Sequence, residues 1–83
     1  MAIENLALDR ALQRRFTFFD RLGWLDRRGM HFVDPWPVGA SLGMTRDETE
    51  YVLATLAGIG WIARCARDDG ERIALTVQGL ARR

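Results

Sequence analysis

A chain of 83 residues makes one domain with a small core, because at this size only about 60–65% of the unfolded surface is buried. With 48% hydrophobic and 28% charged residues it has the balance of a soluble globular protein, and no apolar run nears the roughly 18 residues of a membrane span. A net charge of +1 excludes the strongly basic class of nucleic-acid binders, and a lone cysteine excludes an internal disulfide.

Residues 3–22 carry a helical pattern. At about 100° per residue Leu8, Ala11, Leu12, Phe16, Phe18, Phe19 and Leu22 share one broad arc, while Arg10, Arg14 and Arg21 form a basic stripe opposite. Arg15 falls inside the apolar arc, where it is expected to snorkel or to pair across an interface. Gly23 is read as the end of this helix. Asp26-Arg27-Arg28-Gly29 is then a turn into a short extended piece over residues 30–33. Each proline of Asp34-Pro35-Trp36-Pro37 pushes its preceding residue to extended geometry, and Pro37 suits the first position of a short helix ending near Leu42.

Gly43 stands where that helix needs a left-handed terminal residue. Thr45-Arg46-Asp47-Glu48 fits a capping box, so the next helix starts at Arg46 and runs to about Ile59. Its buried arc is expected to hold Thr49, Val52, Leu53, Leu56 and Ala57. Residues 61–66 alternate as a strand, Arg67-Asp68-Asp69-Gly70 is a hairpin turn, and residues 72–75 return. Thr76 is read as the cap of a short terminal helix.

A short helix, a glycine turn and a capped second helix make a helix-turn-helix. With the hairpin the expectation is an α+β, mainly α fold: a winged helix-turn-helix with a three-helix core, a β-hairpin wing and a short terminal helix. Residues 1–83 form one domain, with helix one at about 3–22, the helix-turn-helix at about 37–59 and the wing at about 61–76.

Three segments carry a resemblance to a known group. Val38-Gly39-Ala40-Ser41-Leu42-Gly43-Met44-Thr45, Leu56-Ala57-Gly58-Ile59-Gly60-Trp61-Ile62 and Leu75-Thr76-Val77-Gln78-Gly79-Leu80 resemble bacterial winged-helix regulators of the MarR and ArsR type. The resemblance covers about half the chain and implies a DNA-binding transcriptional regulator that acts as a dimer. The chain departs from that pattern in having only Cys65 and His31 as soft metal ligands, and in carrying Asp47, Glu48 and Glu50 on the recognition helix.

Double-stranded DNA is therefore the expected partner, with Arg46 and Tyr51 reading bases from helix three. Arg64, Arg67 and Arg72 of the wing are expected to hold phosphates, helped by Arg10 and Arg14. Acids in a first helical turn are favoured by the macrodipole, which accounts for Asp47 and Glu48 and leaves Glu50 unexplained. The outward surface of Tyr51, Ala54 and Gly58 is smooth, so the alternative is a protein partner on helix three without DNA binding. An enzyme is not expected, since there is no phosphate loop, zinc spacing or nucleophile elbow. No cofactor or metal is expected either, because His31 has no companion ligands. Cys65 is expected to be a small buried hydrophobe. All 12 basic residues are arginine, which a GC-rich genome explains as well as phosphate recognition does. The opening Met1-Ala2-Ile3-Glu4-Asn5 lacks the layout of a signal peptide, so a cytoplasmic location is expected. Phe18 and Arg15 are assigned to the interface of a homodimer, because the apolar arc of helix one is wider than a three-helix core needs.

Overall fold

The computed structural model describes the backbone of residues 3–83 and the side chains from Arg10 onward. Its elements are α1 (Ile3–Arg27), α2 (Pro35–Ser41), α3 (Arg46–Gly58), β1 (Ile62–Arg67), β2 (Gly70–Leu75) and α4 (Val77–Arg82). The layout is a winged helix: three helices pack together and an antiparallel hairpin follows them. No helix among the described residues is long and apolar enough to cross a membrane.

Local sequence sets the two helix starts that matter most. The Thr45 hydroxyl accepts from the Glu48 N–H at 3.1 Å, and the Glu48 carboxylate accepts from the Thr45 N–H at 2.9 Å. This closes the capping box at the start of α3 and satisfies two donors that a helix end otherwise leaves bare. Thr76 caps α4 in the same way, accepting from the Gly79 N–H at 3.0 Å. Its own hydroxyl proton goes to the Gly60 carbonyl, 2.5 Å away.

Two glycines are fixed by close approach. A Cβ on Gly39 would lie 2.0 Å from the hydroxyl oxygen of Thr49, and one on Gly79 would lie 2.0 Å from the Trp61 carbonyl oxygen. Gly39 thus lets α2 cross α3 closely enough to bury Thr49, whose hydroxyl donates to the Thr45 carbonyl at 2.9 Å. Gly39→Ala is expected to cost about 1–3 kcal/mol by overpacking this crossing. A shift of the urea midpoint at unchanged m-value would report it; an unshifted midpoint would show that Thr49 gives way freely.

The core draws Phe18, Phe19 and Leu22 from α1, Val38 from α2, Val52, Leu53 and Leu56 from α3, and Ile62 and Ile73 from the hairpin. Met44 closes it beneath the helix-turn-helix turn. Phe19 and Trp61 pack with ring centroids 4.9 Å apart and planes tilted by 48°, within the range of favourable aromatic pairs. Val33 makes a one-residue bridge to Ile73 through a reciprocal pair of backbone hydrogen bonds of 3.0 and 2.9 Å. In the hairpin Arg67 faces Gly70, so Asp68 and Asp69 form a two-residue loop. Every residue of β1 after Ile62 is exposed.

Four expectations change. Helix one does not stop at Gly23 but runs to Arg27. Leu25 packs on the core and Gly23 is buried, and that burial outweighs the roughly 1 kcal/mol helical penalty of glycine. Helix two begins at Pro35 rather than Pro37, because the Asp34 carboxylate accepts from the Trp36 N–H at 3.1 Å and caps it. Phe18 is fully buried inside its own chain, at 0% exposure, so it presents no surface to a second subunit. Cys65 is an exposed free thiol rather than a buried hydrophobe, since no residue of β1 beyond Ile62 is covered.

Candidate nucleic-acid interface

The capping box and the buried arc of α3 fix which way the helix faces. Thr49, Val52, Leu53 and Leu56 point into the core, with Ala57 half-buried, and this leaves Asp47, Tyr51, Ala54 and Gly58 on the open side. Tyr51 is 59% exposed at the centre of that side. Arg46, the first residue of α3, lies with its guanidinium over the Trp36 ring of α2, 3.9 Å from the centroid.

The wing arginines are placed very differently from one another. Arg64 on β1 grips Glu50 of α3 with two parallel bonds, Nη1 to Oε2 at 2.7 Å and Nη2 to Oε1 at 2.8 Å. It also reaches Glu71 of β2 through Nε at 2.5 Å and Nη2 at 3.1 Å. Four of its five N–H donors are thereby used within the chain. The Arg64 hydrogen bonds hold the Glu50 carboxyl below the usual carboxylate range, against a smaller opposing effect of burial. The hydrogen bonds that Arg64 donates to Glu50 and Glu71 in turn raise its own pKa, so the cation is permanent. The cluster ties α3 to both strands of the wing.

Arg72 pairs with Asp69 at 2.9 Å and donates to the Glu71 carbonyl at 2.9 Å, which holds it along the hairpin. Arg67 lies near the hairpin loop, its guanidinium 5.6 Å from the centroid of the Phe32 ring. Among the described residues no carboxylate forms an ion pair with Arg46 or Arg67.

Of the supporting arginines, Arg14 pairs with Glu48, so the α3 cap and α1 are joined electrostatically. Arg10 and Arg14 border a groove of about 420 Å³ between α1 and α3, with Asp47, Glu48 and Tyr51 on its other wall. Arg15 is half-buried and borders a small hollow of about 90 Å³ with Phe16, Leu56, Ile59 and Trp61. Phe18 is not part of that hollow. Phe16, 56% exposed, is the apolar residue that Arg15 accompanies at the surface. Among the described residues there is no group of three side chains able to hold a metal ion. His31 sits with Nδ1 2.6 Å from an Asp26 oxygen, whose second oxygen holds Arg83 at 3.1 Å.

Arg46 thus lies on the flank of α3 toward α2, Tyr51 borders the groove toward α1, the Glu50–Arg64–Glu71 cluster joins α3 to the wing, and Arg67 stands on β1. The role of Glu50 as a strut was not foreseen. Its signal in the sequence was a carboxylate past the first helical turn, beyond reach of the macrodipole, with an arginine early in the next strand. No protein-family model, curated protein or solved structure matches this chain.

Proposed function

We propose that the protein binds double-stranded DNA with α3 in the major groove and acts as a transcriptional regulator. The observation that carries this reading is Arg46. A guanidinium stacked through its face on an indole keeps its donors free in the plane, where they can meet the O6 and N7 acceptors of guanine.

The acidic residues of this surface supply the counterargument, and the ion pairs answer most of it. Across α3 and the wing there are four arginines and six carboxylates. Glu48 is held by the cap and Arg14, Glu50 and Glu71 by Arg64, and Asp69 by Arg72. Carboxylates neutralised in this way repel phosphate far less than free ones. The same pairing removes Arg64 and Arg72 from the phosphate contacts expected of the wing, and Arg67 remains.

Binding is therefore expected to be modest and to involve few phosphates. For two or three neutralised phosphates, the logarithm of affinity falls against that of salt with a slope of about −2 to −3. Arg46→Ala is expected to flatten sequence preference, losing about 1–3 kcal/mol of discrimination at one base pair. Arg67→Ala is expected to weaken all sequences alike and to reduce the slope by about one. Anisotropy titrations of a mixed panel of duplexes test both, and equal loss of specificity from the two changes would contradict the division of roles.

A second reading is supported by the face of Tyr51, Ala54 and Gly58. One exposed aromatic ring beside two small residues suits a protein partner that packs closely on α3. Duplex binding that is undetectable near 50 mM salt would favour this reading over the first.

A further inference from the structure

The basic stripe of α1 extends well beyond the surface just described. Arg10, Arg14, Thr17, Arg21 and Trp24 follow one another at alternating spacings of four and three residues, so they share one face of α1, and Arg28 follows in the turn just past its end. From Arg10 to Trp24 the stripe is about 21 Å long at about 1.5 Å per residue.

Three hollows lie end to end along this face. The groove of about 420 Å³ beside Tyr51 shares Arg10 and Arg14 with a second of about 280 Å³. That one shares Thr17 and Leu42 with a third of about 620 Å³, which ends at Arg21, Trp24 and Arg27. The series runs between α1 and the turn of the helix-turn-helix, with an exposed aromatic residue at each end.

At the far end two guanidinium groups lie over one indole. Arg28 is 4.1 Å and Arg21 5.7 Å from the Trp24 ring centroid, and Trp24 is 43% exposed. Cation–π attraction draws the two guanidinium groups to the indole, and their forked N–H donors suit bidentate contacts. Among the described residues Arg21, Arg27 and Arg28 form no ion pair with a carboxylate, whereas Arg14, Arg64, Arg72 and Arg83 each do. One carboxylate, Asp20, borders the hollow. Asp26, also at this end of α1, is occupied by His31 and Arg83.

We propose that Arg21 and Arg28, drawn to Trp24 and joined by Arg27, form an oxyanion clamp for the phosphodiesters of a single nucleic-acid strand lying along this groove. A basic groove that tracks a backbone between aromatic side chains is the general solution for single strands, with site sizes of about 4–16 nucleotides. The recessed course beside the helix-turn-helix turn suits a flexible strand better than a rigid duplex. The clamp at Trp24 lies at the end of the groove away from α3, while the opposite end meets the open side of α3 at Asp47 and Tyr51.

Arg27 and Arg28 also complement the C-terminal carbonyls of α1, so the test must separate binding from helix stabilisation. Anisotropy of a labelled 15-nucleotide oligothymidylate is measured with the whole chain near 50 mM salt. The unaltered protein is expected to bind. Arg21→Gln with Arg28→Gln is expected to weaken binding about tenfold and to make the salt slope shallower by about 1.4, at roughly 0.7 per phosphate. Arg21→Gln alone lies outside the last turn and is expected to weaken binding about threefold with no change in thermal midpoint. A lowered midpoint with unchanged affinity in the double variant would assign the arginines to the helix end and overturn the clamp. Absence of oligothymidylate binding would overturn it too. So would binding confined to phosphatidylglycerol vesicles, which would assign the clamp to lipid phosphate.

Discussion

Phe18→Ala is expected to leave the chain largely unfolded at 37 °C. Phe18 is fully enclosed, and it packs among residues of a core that all three large helices and the hairpin share. Truncating a buried phenylalanine costs about 3–5 kcal/mol in lost transfer energy and residual cavity. A domain of this size has on the order of 5 kcal/mol of stability in total. Circular dichroism against temperature would show a collapsed or missing transition. Phe16→Ala is the matched control: Phe16 lies two positions away but is 56% exposed, so its removal is expected to shift stability by less than about 1 kcal/mol. Equal effects from the two substitutions would mean that the helix is rotated relative to the core described above.

The second large effect concerns the Glu50–Arg64–Glu71 cluster. Arg64→Ala is expected to reduce duplex affinity about tenfold or more, although Arg64 is not assigned a phosphate contact. Its loss leaves Glu50 and Glu71 as uncompensated carboxylates beside the DNA backbone and unties the wing from α3. Glu50→Gln is expected to act in the opposite direction, raising affinity severalfold, because it removes one carboxylate charge and leaves Glu71 as the only carboxylate paired with Arg64. The pairing itself contributes modestly to stability, toward the upper end of the roughly 0.2–1 kcal/mol of exposed pairs, since it is bidentate and shared. The sign of its pH dependence follows from the lowered Glu50 pKa. The contribution is complete above the ordinary carboxylate range and is lost as pH falls through the lowered folded-state value. Urea unfolding near pH 7 and near pH 3 should therefore show a smaller acid-side loss for Glu50→Gln than for the unaltered chain. Reduced duplex affinity in Glu50→Gln would instead make this carboxylate a base-reading group.

Features set by neighbours in the chain were legible from the sequence. The caps at Thr45 and Thr76 need only a hydroxyl and a backbone N–H three residues on, and both form. The buried arc of α3 follows from its spacing alone. Features set by packing were not. A helical wheel places Phe16 and Phe18 in one arc, and only the position of α3 and the hairpin decides that the core takes Phe18 and leaves Phe16 at the rim. Gly23 reads locally as a stop, yet the surface buried by Leu22 and Leu25 carries the helix past it. Glu50 and Arg64 are 14 residues apart, and nothing short of the wing folding back on α3 announces their pairing. Alternation in a strand implies a covered face, but on β1 nothing beyond Ile62 is covered, so Cys65 is exposed.

The bareness of that ribbon has a further consequence for the behaviour of the protein in concentrated solution. β1 pairs with β2 alone among the described strands, so its other side offers unpaired backbone groups to any extended chain that meets it. Such an edge is a template for intermolecular β-pairing unless something blunts it. In Ile62–Arg67 that work falls chiefly to Arg67, since the charge of Arg64 is paired with Glu50 and Glu71. Arg67 thus keeps copies of this chain from zipping together, a constraint on its replacement that holds whatever the wing binds.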